Sequence, residues 1–231
     1  MMGQLGIGIG AVALALSLVG ISPPAVAQTF SGSALETMAT PVESWDRDVF
    51  FFGGLFHEDY FTQSFTPWSA TWEPNAFIGA GYQQFFWRWG DVRFGGEAGL
   101  GARFNFNGQT TFLGTQSFPP LSGEAWVGAV ARYDGVDLGP VHAGLAMTAG
   151  FSAVTGLIGS EAVRASTHPF DRFGTGGKLL YYLGPEIDLS MPEVNPNVEV
   201  FWRAQHRSGG FGSLMDLDGS NADTVGVRFK F

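Results

Sequence analysis

His206 and Ser208, two positions apart near the C-terminus, are the pair of side chains in this sequence best suited to chemistry. A serine hydroxyl becomes an effective nucleophile when an imidazole accepts its proton, and a carboxylate that orients the imidazole completes a hydrolytic triad. Residues two apart on a strand project from the same face, so these two side chains can meet there. Asp216, Asp218 and Asp223 follow along the chain, and each is a candidate for the carboxylate. The pattern therefore predicts a hydrolytic Ser/His/acid site.

The elements that must position these residues are strands. The last segment shows this most clearly, because Val225, Val227, Phe229 and Phe231 share one face and alternate with polar or small residues. Segments of about ten residues with a period of two are typical of transmembrane β-barrels. Eight such segments can be placed, at 48–56, 76–88, 92–104, 124–133, 141–151, 178–189, 197–208 and 223–231. The sequence therefore predicts an all-β fold, an eight-stranded antiparallel transmembrane β-barrel.

The connections between these segments alternate long and short, as the outer loops and periplasmic turns of such barrels do. The long ones are 57–75, 105–122, 153–177 and 209–222, whereas Asp134-Gly135 predicts a short hairpin turn. One face of the third segment carries Arg93, Glu97 and Arg103, which fits a narrow lumen packed with paired charges. Side chains fill the interior of so small a barrel, so we expect function at the outer loops or on the lipid-facing wall.

The N-terminal segment has features of an export signal. Residues 5–21 are apolar and small, and Ala25-Val26-Ala27 has the form of a signal-peptidase site, although no Lys or Arg precedes the apolar run. We expect residues 1–27 to be a signal peptide, 28–47 a periplasmic lead-in and 48–231 the barrel. A retained membrane anchor is the alternative.

Composition limits the possible partners. The formal charge of -9 argues against nucleic acid, because phosphate binding requires clustered Lys and Arg. The 231 residues contain no Cys, which rules out disulfides and thiolate metal sites. His57-Glu58-Asp59 could hold a divalent cation, but so short an acidic run is more typical of a solvated loop. We expect no cofactor and no metal.

Strand direction and alternation predict where His206 and Ser208 point. They continue the apolar face of the seventh strand, which runs outward, so both are expected to face lipid near the extracellular rim. Asp223, on the returning strand, has the same parity as the lipid-facing Val225. There are two alternatives for the His206 and Ser208 side chains. They could lie in an aqueous collar above the lipid, where polar residues cost little free energy, or a bulge could turn both inward.

This end of the chain, on His206-Arg207-Ser208, resembles the lipid A 3-O-deacylase family known as PagL. These are eight-stranded outer-membrane barrels that remove an ester-linked acyl chain from lipid A. Their motif is His-x-Ser-Asn near the end of the seventh strand, followed by an acidic residue in the last hairpin. The resemblance implies His206 as general base, Ser208 as nucleophile, Asp223 or Asp218 as the acid, and lipid A or lipopolysaccharide as partner. Gly209 stands where the family has the Asn of the oxyanion contact.

Two other hypotheses compete with a hydrolase. One is a non-catalytic barrel whose loops bind a partner or whose wall stabilises the membrane. The other is a narrow conduit for small hydrophobic molecules with a lateral opening. Only the hydrolase requires the hydroxyl of Ser208.

Overall fold

A computed structural model describes residues 40–41, 46–106, 110–111, 114–115, 119–167 and 171–231. The predicted signal peptide and most of the predicted lead-in, 28–47, lie outside the described residues. The long strands are β1 (Arg47–His57), β2 (Trp72–Trp89), β3 (Val92–Asn105), β4 (Leu121–Leu138), β5 (Val141–Val154), β6 (Leu179–Ser190), β7 (Val198–Ser208) and β8 (Asn221–Lys230). The described residues also form two-residue strands at Thr40–Pro41, Thr110–Thr111 and Gly114–Thr115, helix α1 (Gly159–Thr167), and 3-10 helices at Phe61–Phe65 and Pro67–Ser69.

The eight long strands close into a barrel. Each pairs antiparallel with the next along the chain, and β8 pairs with β1 from Asn221 opposite His57 to Lys230 opposite Asp48. The predicted fold class, an eight-stranded antiparallel β-barrel, is confirmed. No helix among the described residues has the length and apolar character needed to cross a membrane.

The turn predicted at Asp134-Gly135 is wrong. Strand β4 continues to Leu138, which pairs with Val141, and the chain reverses at Gly139-Pro140 instead. The register shifts between Tyr133 and Val136, so Asp134-Gly135 forms a β-bulge. Gly135 has a φ of 90°, a conformation that glycine adopts without steric cost. A bulge and a hairpin turn share this sequence signature, and the pairing of 136–138 with 141–143 decides between them.

The lumen is filled by charged side chains in pairs, as the third segment predicted. At its centre the Arg203 guanidinium bonds Glu97 at 2.7 and 2.9 Å and Glu186 at 2.8 Å. Towards the periplasmic end, the pairing continues through Arg132, Arg228, Asp48, Glu199 and Lys230. A buried charge is tolerated only when it is paired and hydrogen-bonded, and these arginines satisfy that condition.

An aromatic layer packs against these charges. Phe50, Phe52, Phe77, Phe201 and Trp126 form one buried cluster, and Arg203 lies over the Phe50 ring at 4.8 Å. The rings require glycine on the facing strand: a Cβ on Gly99 would lie 2.1 Å from the Trp126 ring. The lumen is thus packed with side chains and is not an open channel along the described strands.

The outer wall is apolar. Large hydrophobic side chains on it are exposed, including Phe51, Ile78, Leu100, Val200 and Val225. A belt of this kind is stable only against lipid, because water would be in contact with a contiguous apolar surface far larger than soluble proteins expose. The barrel is therefore embedded in a membrane.

Helix α1 lies across the extracellular mouth of the barrel. Its Glu161 is fully buried and bonds Arg103 at 2.7 Å as well as Arg207. Arg164, one turn later, donates to the backbone carbonyls of Asp218 and Gly219 at 3.0 Å each, and to that of Glu58. The helix therefore closes the mouth and ties the outer loop after β1 to the outer loop between β7 and β8.

Candidate functional site

His206 lies on the outer face of β7, and its partner is an asparagine. Its Nδ1 is 2.6 Å from Oδ1 of Asn221, the residue directly opposite on β8. The Asn221 Nδ2 donates to the backbone carbonyl of Asp59 at 2.8 Å, which fixes the amide with Oδ1 facing the imidazole. An amide oxygen only accepts, so Nδ1 carries the proton of the neutral imidazole. Nε2 is then the basic nitrogen.

Ser208 lies on the same outer face, one pair of residues nearer the rim. The rise along a strand puts its Cα about 6.6 Å from that of His206. Its Oγ accepts a hydrogen bond from the Gly210 amide at 3.0 Å, and its hydroxyl proton has no acceptor among the described residues. No hydrogen bond joins Ser208 to His206 within this part of the chain. The proton of Ser208 is therefore free to rotate towards a base.

The three candidate carboxylates take different positions. Asp223 shares the outer face and lies opposite Ala204; its carboxylate lies beside the Ser64 hydroxyl, although neither oxygen forms a hydrogen bond of normal geometry. Asp218 lies in the loop between β7 and β8, where its backbone carbonyl accepts from Arg164 at 3.0 Å. Asp216 is exposed. None of the three is hydrogen-bonded to His206 in the structure, where Asn221 has that place.

Gly209 cannot be replaced by the asparagine of the family motif. A Cβ at this position would lie 1.8 Å from the backbone oxygen of Met215, so the following hairpin packs directly on the glycine. The Gly209 amide donates to the Leu217 carbonyl at 2.8 Å and is therefore occupied. An oxyanion donor at this position, side chain or backbone, is absent from the described arrangement.

Outer loop 1, residues 58–71, folds down over this part of the outer wall. The Phe61 ring stacks on the His206 imidazole with 4.5 Å between centroids, and Phe65 contacts Trp202 edge-on. Ser64 is buried and lies 2.8 Å from Nε2 of His57, which projects outward from the end of β1. We call His57, Ser64, His206, Ser208, Asn221 and Asp223 the outer-wall cluster.

His57-Glu58-Asp59, the run considered above as a possible cation site, makes contacts within outer loop 1 instead. The Nε2 of His57 bonds Ser64, and an Asp59 carboxylate oxygen accepts the Thr71 amide at 2.5 Å within the loop. Across the described ranges, no group of three or more His, Asp or Glu side chains is arranged to hold a metal ion.

An apolar trough of about 1210 Å³ lies on the outer wall below the outer-wall cluster. Trp202 and Val225 line its upper part, and each is two residues from a wall position beneath outer loop 1, Ala204 and Asp223. Phe51, Ile78 and Leu100 line it further round the barrel. The polar cluster therefore lies directly next to a surface that accepts hydrocarbon.

Comparison with known proteins shows likeness in fold. The outer membrane enzyme PagL superposes with a TM-score of 0.50 at 13% identity, over 80% of this chain and 99% of that one. Neisserial surface protein A gives 0.47 at 15% identity, over 84% and 99%. Ail, the attachment invasion locus protein of Yersinia pestis, gives 0.35 at 11%, over 80% and 97%. No protein-family model and no curated protein sequence matches the chain.

At such identities the likeness establishes the fold alone. The chain is an eight-stranded barrel of the bacterial outer-membrane type, and its apolar wall agrees with that fold. The bacterial outer membrane is therefore where this protein resides.

Proposed function

We propose that this protein is an outer-membrane hydrolase that removes an ester-linked acyl chain from lipid A in the outer leaflet. One observation carries the proposal: His206 is held by Asn221 on the lipid-facing wall with Ser208 on the same face beside it. Buried or lipid-facing polar groups are costly, and a catalytic task is one reason for a chain to keep them there.

The chemistry follows from the tautomer of His206. Ser208 Oγ attacks the acyl carbonyl carbon while its proton passes to Nε2 of His206, and the tetrahedral adduct then expels the sugar oxygen, which takes that proton. Water next attacks the acyl-serine and gives a proton to Nε2. Collapse of this second adduct releases the fatty acid and returns the proton to Ser208. Water is the co-reactant, and the step itself requires no metal.

Asn221 takes the orienting role in this proposal. A neutral amide that accepts from Nδ1 fixes the imidazole with Nε2 towards the substrate, as the asparagine of Cys-His-Asn proteases does. Asp218 and Asp223 remain candidates for stabilising the imidazolium that forms.

The trough supports a substrate with hydrocarbon chains. An ester whose acyl chain lies along Trp202 and Val225 brings its carbonyl to the level of the outer-wall cluster. Exposed cations from Arg172 and Lys178 lie on the loop that leads into β6, and the Arg172 amide bonds Leu214 of the last hairpin. Cations in this place favour an anionic headgroup.

A non-catalytic barrel is the second candidate, and one observation favours it. Outer loop 1 uses the outer-wall cluster as an anchor, with Phe61 on His206 and Ser64 on His57. In that case the cluster fixes a loop whose exposed aromatic residues contact a partner or the membrane. A conduit through the lumen has less support, because charged side chains and α1 fill it.

The test uses the folded full-length protein in vesicles that contain lipid A. Mass spectrometry is expected to show loss of one acyl chain from lipid A, with the matching free fatty acid released. Protein unfolded by heat before reconstitution is the control. Unchanged lipid A with folded protein would exclude the hydrolase and leave the non-catalytic barrel.

A further inference from the structure

We propose that outer loop 1 is a lid held closed by Ser64, and that it must leave the outer wall before a lipid ester can reach His206. The claim that the lid controls access of a lipid ester to His206 rests on the proposed function. The closure of the loop over the wall does not. Three features support the lid. The loop buries residues of the wall, Ser64 latches it to the strands, and aromatic side chains on its outward side are exposed.

Wall residues beneath the loop are buried although they face away from the lumen. His57, Ala204 and Asn221 are each 0% exposed, whereas Val200 and Val225, on the same face of β7 and β8, are 52% and 66% exposed. The difference arises because outer loop 1 covers this part of the wall. Ser64 bonds His57 and the Asp59 carbonyl accepts from Asn221. The Phe61 and Phe65 rings contact His206 and Trp202, the outward residues on either side of Ala204. Phe61 occupies the space over the imidazole that an ester must enter.

Ser64 latches the loop to two strands. Its Oγ lies 2.8 Å from Nε2 of His57 on β1, and the Asp223 carboxylate on β8 lies near the same hydroxyl without a hydrogen bond of normal geometry. The Nδ1 of His57 and both oxygens of Asp223 have no hydrogen-bond partner of normal geometry in the described ranges. The hydroxyl of Ser64 is thus the polar group that both of these buried side chains share. Its loss weakens closure without removing a residue proposed for catalysis.

The outward side of outer loop 1 favours contact with lipid once the loop moves. Tyr60 and Trp68 are 78% and 83% exposed. Tyr and Trp prefer the interface between lipid and water, so these exposed rings can keep their contact with the bilayer when the loop leaves the wall. The base of the loop stays attached, because Arg164 donates to the Glu58 carbonyl and Asn221 to that of Asp59. The movement is therefore confined to the segment that bears Phe61 and Ser64.

A single cysteine can report closure directly, because the natural chain has none. Ala204→Cys places a thiol on the wall beneath the loop, and Ala125→Cys places one on an exposed, outward position near the rim of β4. Labelling by N-ethylmaleimide in detergent micelles is expected to be slow for Ala204→Cys and fast for Ala125→Cys. Adding Ser64→Ala should raise the rate at residue 204 by roughly threefold to tenfold, the effect of losing one buried hydrogen bond, and leave residue 125 unchanged.

Equal labelling rates at the two positions, or no change at residue 204 with Ser64→Ala, would overturn the lid. Heat-dependent migration in SDS gels verifies that each variant is folded. In the lipid A assay, Ser64→Ala should accelerate fatty-acid release by a similar factor. A loss of release with unchanged labelling at residue 204 would instead assign Ser64 to the chemistry and refute its role as a latch. If lipid A is not hydrolysed at all, the labelling experiment still decides whether the loop closes.

Discussion

Replacing Ser208 by Ala is expected to lower fatty-acid release from lipid A by at least about 10³-fold, because removal of a catalytic nucleophile leaves only binding and charge stabilisation. The Ser208 hydroxyl contributes little to the fold, because among the described residues it only accepts one hydrogen bond, from the Gly210 amide. The barrel should therefore fold as the natural protein does, with the same heat-dependent migration in SDS gels. The rate is measured as free fatty acid released per unit time from vesicles.

Ser166→Ala is the matched control for this variant. Ser166 lies on α1, and its hydroxyl donates to the Val163 carbonyl at 2.7 Å, away from the outer-wall cluster. Release should stay within about twofold of the natural rate, as for a surface substitution outside the site. If Ser208→Ala releases fatty acid as fast as Ser166→Ala, Ser208 is not the nucleophile.

Replacing Arg203 by Met is expected to lower the free energy of unfolding by about 3–5 kcal/mol, the usual cost of removing one partner from a buried ion pair. Arg203 bonds Glu97 and Glu186 in a fully buried site. Met fills a similar volume but leaves Glu97 without a cation, whereas Glu186 keeps Arg228 at 2.6 Å. Glu97 keeps only neutral donors, including Trp126 at 2.8 Å. Urea unfolding in micelles, followed by tryptophan fluorescence, measures the difference.

Lys230→Met tests whether burial of the ion pair causes the large loss of stability expected for Arg203→Met. The Lys230 ammonium bonds Glu199 at 2.9 Å but is 30% exposed near the periplasmic end. Solvent screening limits such a pair to about 1 kcal/mol or less. Equal destabilisation by Arg203→Met and Lys230→Met would contradict the claim that breaking a buried ion pair in the lumen costs more than breaking a partly exposed one.

The barrel could be predicted from the sequence because its strands obey a strict local rule. Alternation sets the face of each side chain without reference to partners, so Val225 and Arg228 on β8 could be placed outward and inward in advance. The bulge at Asp134-Gly135 could not, because a turn and a bulge use the same residues there. Pairing between strands, a non-local property, decided between them.

The site could be predicted only in part, because some of its contacts also depend on non-local pairing and packing. Parity predicted that His206 and Ser208 share the outer face, and the structure places them there. Asn221 was missed because it was assigned to a loop, whereas β8 begins there and puts it opposite His206. The signal was present: Asn221 and Asp223 have the parity of Val225. The packing of Phe61 on His206 had no signal, because loop placement depends on tertiary contacts.

The most direct measurement of the central claim is covalent modification of the active serine. The folded protein is treated with a fluorophosphonate, which loses fluoride to an activated serine oxygen, and the modified peptide is identified by mass spectrometry. We expect modification at Ser208 in the natural protein and none at Ser208 in His206→Ala. Modification at Ser64 in place of Ser208, or no serine modified in a folded barrel that is exposed to the reagent, would contradict it.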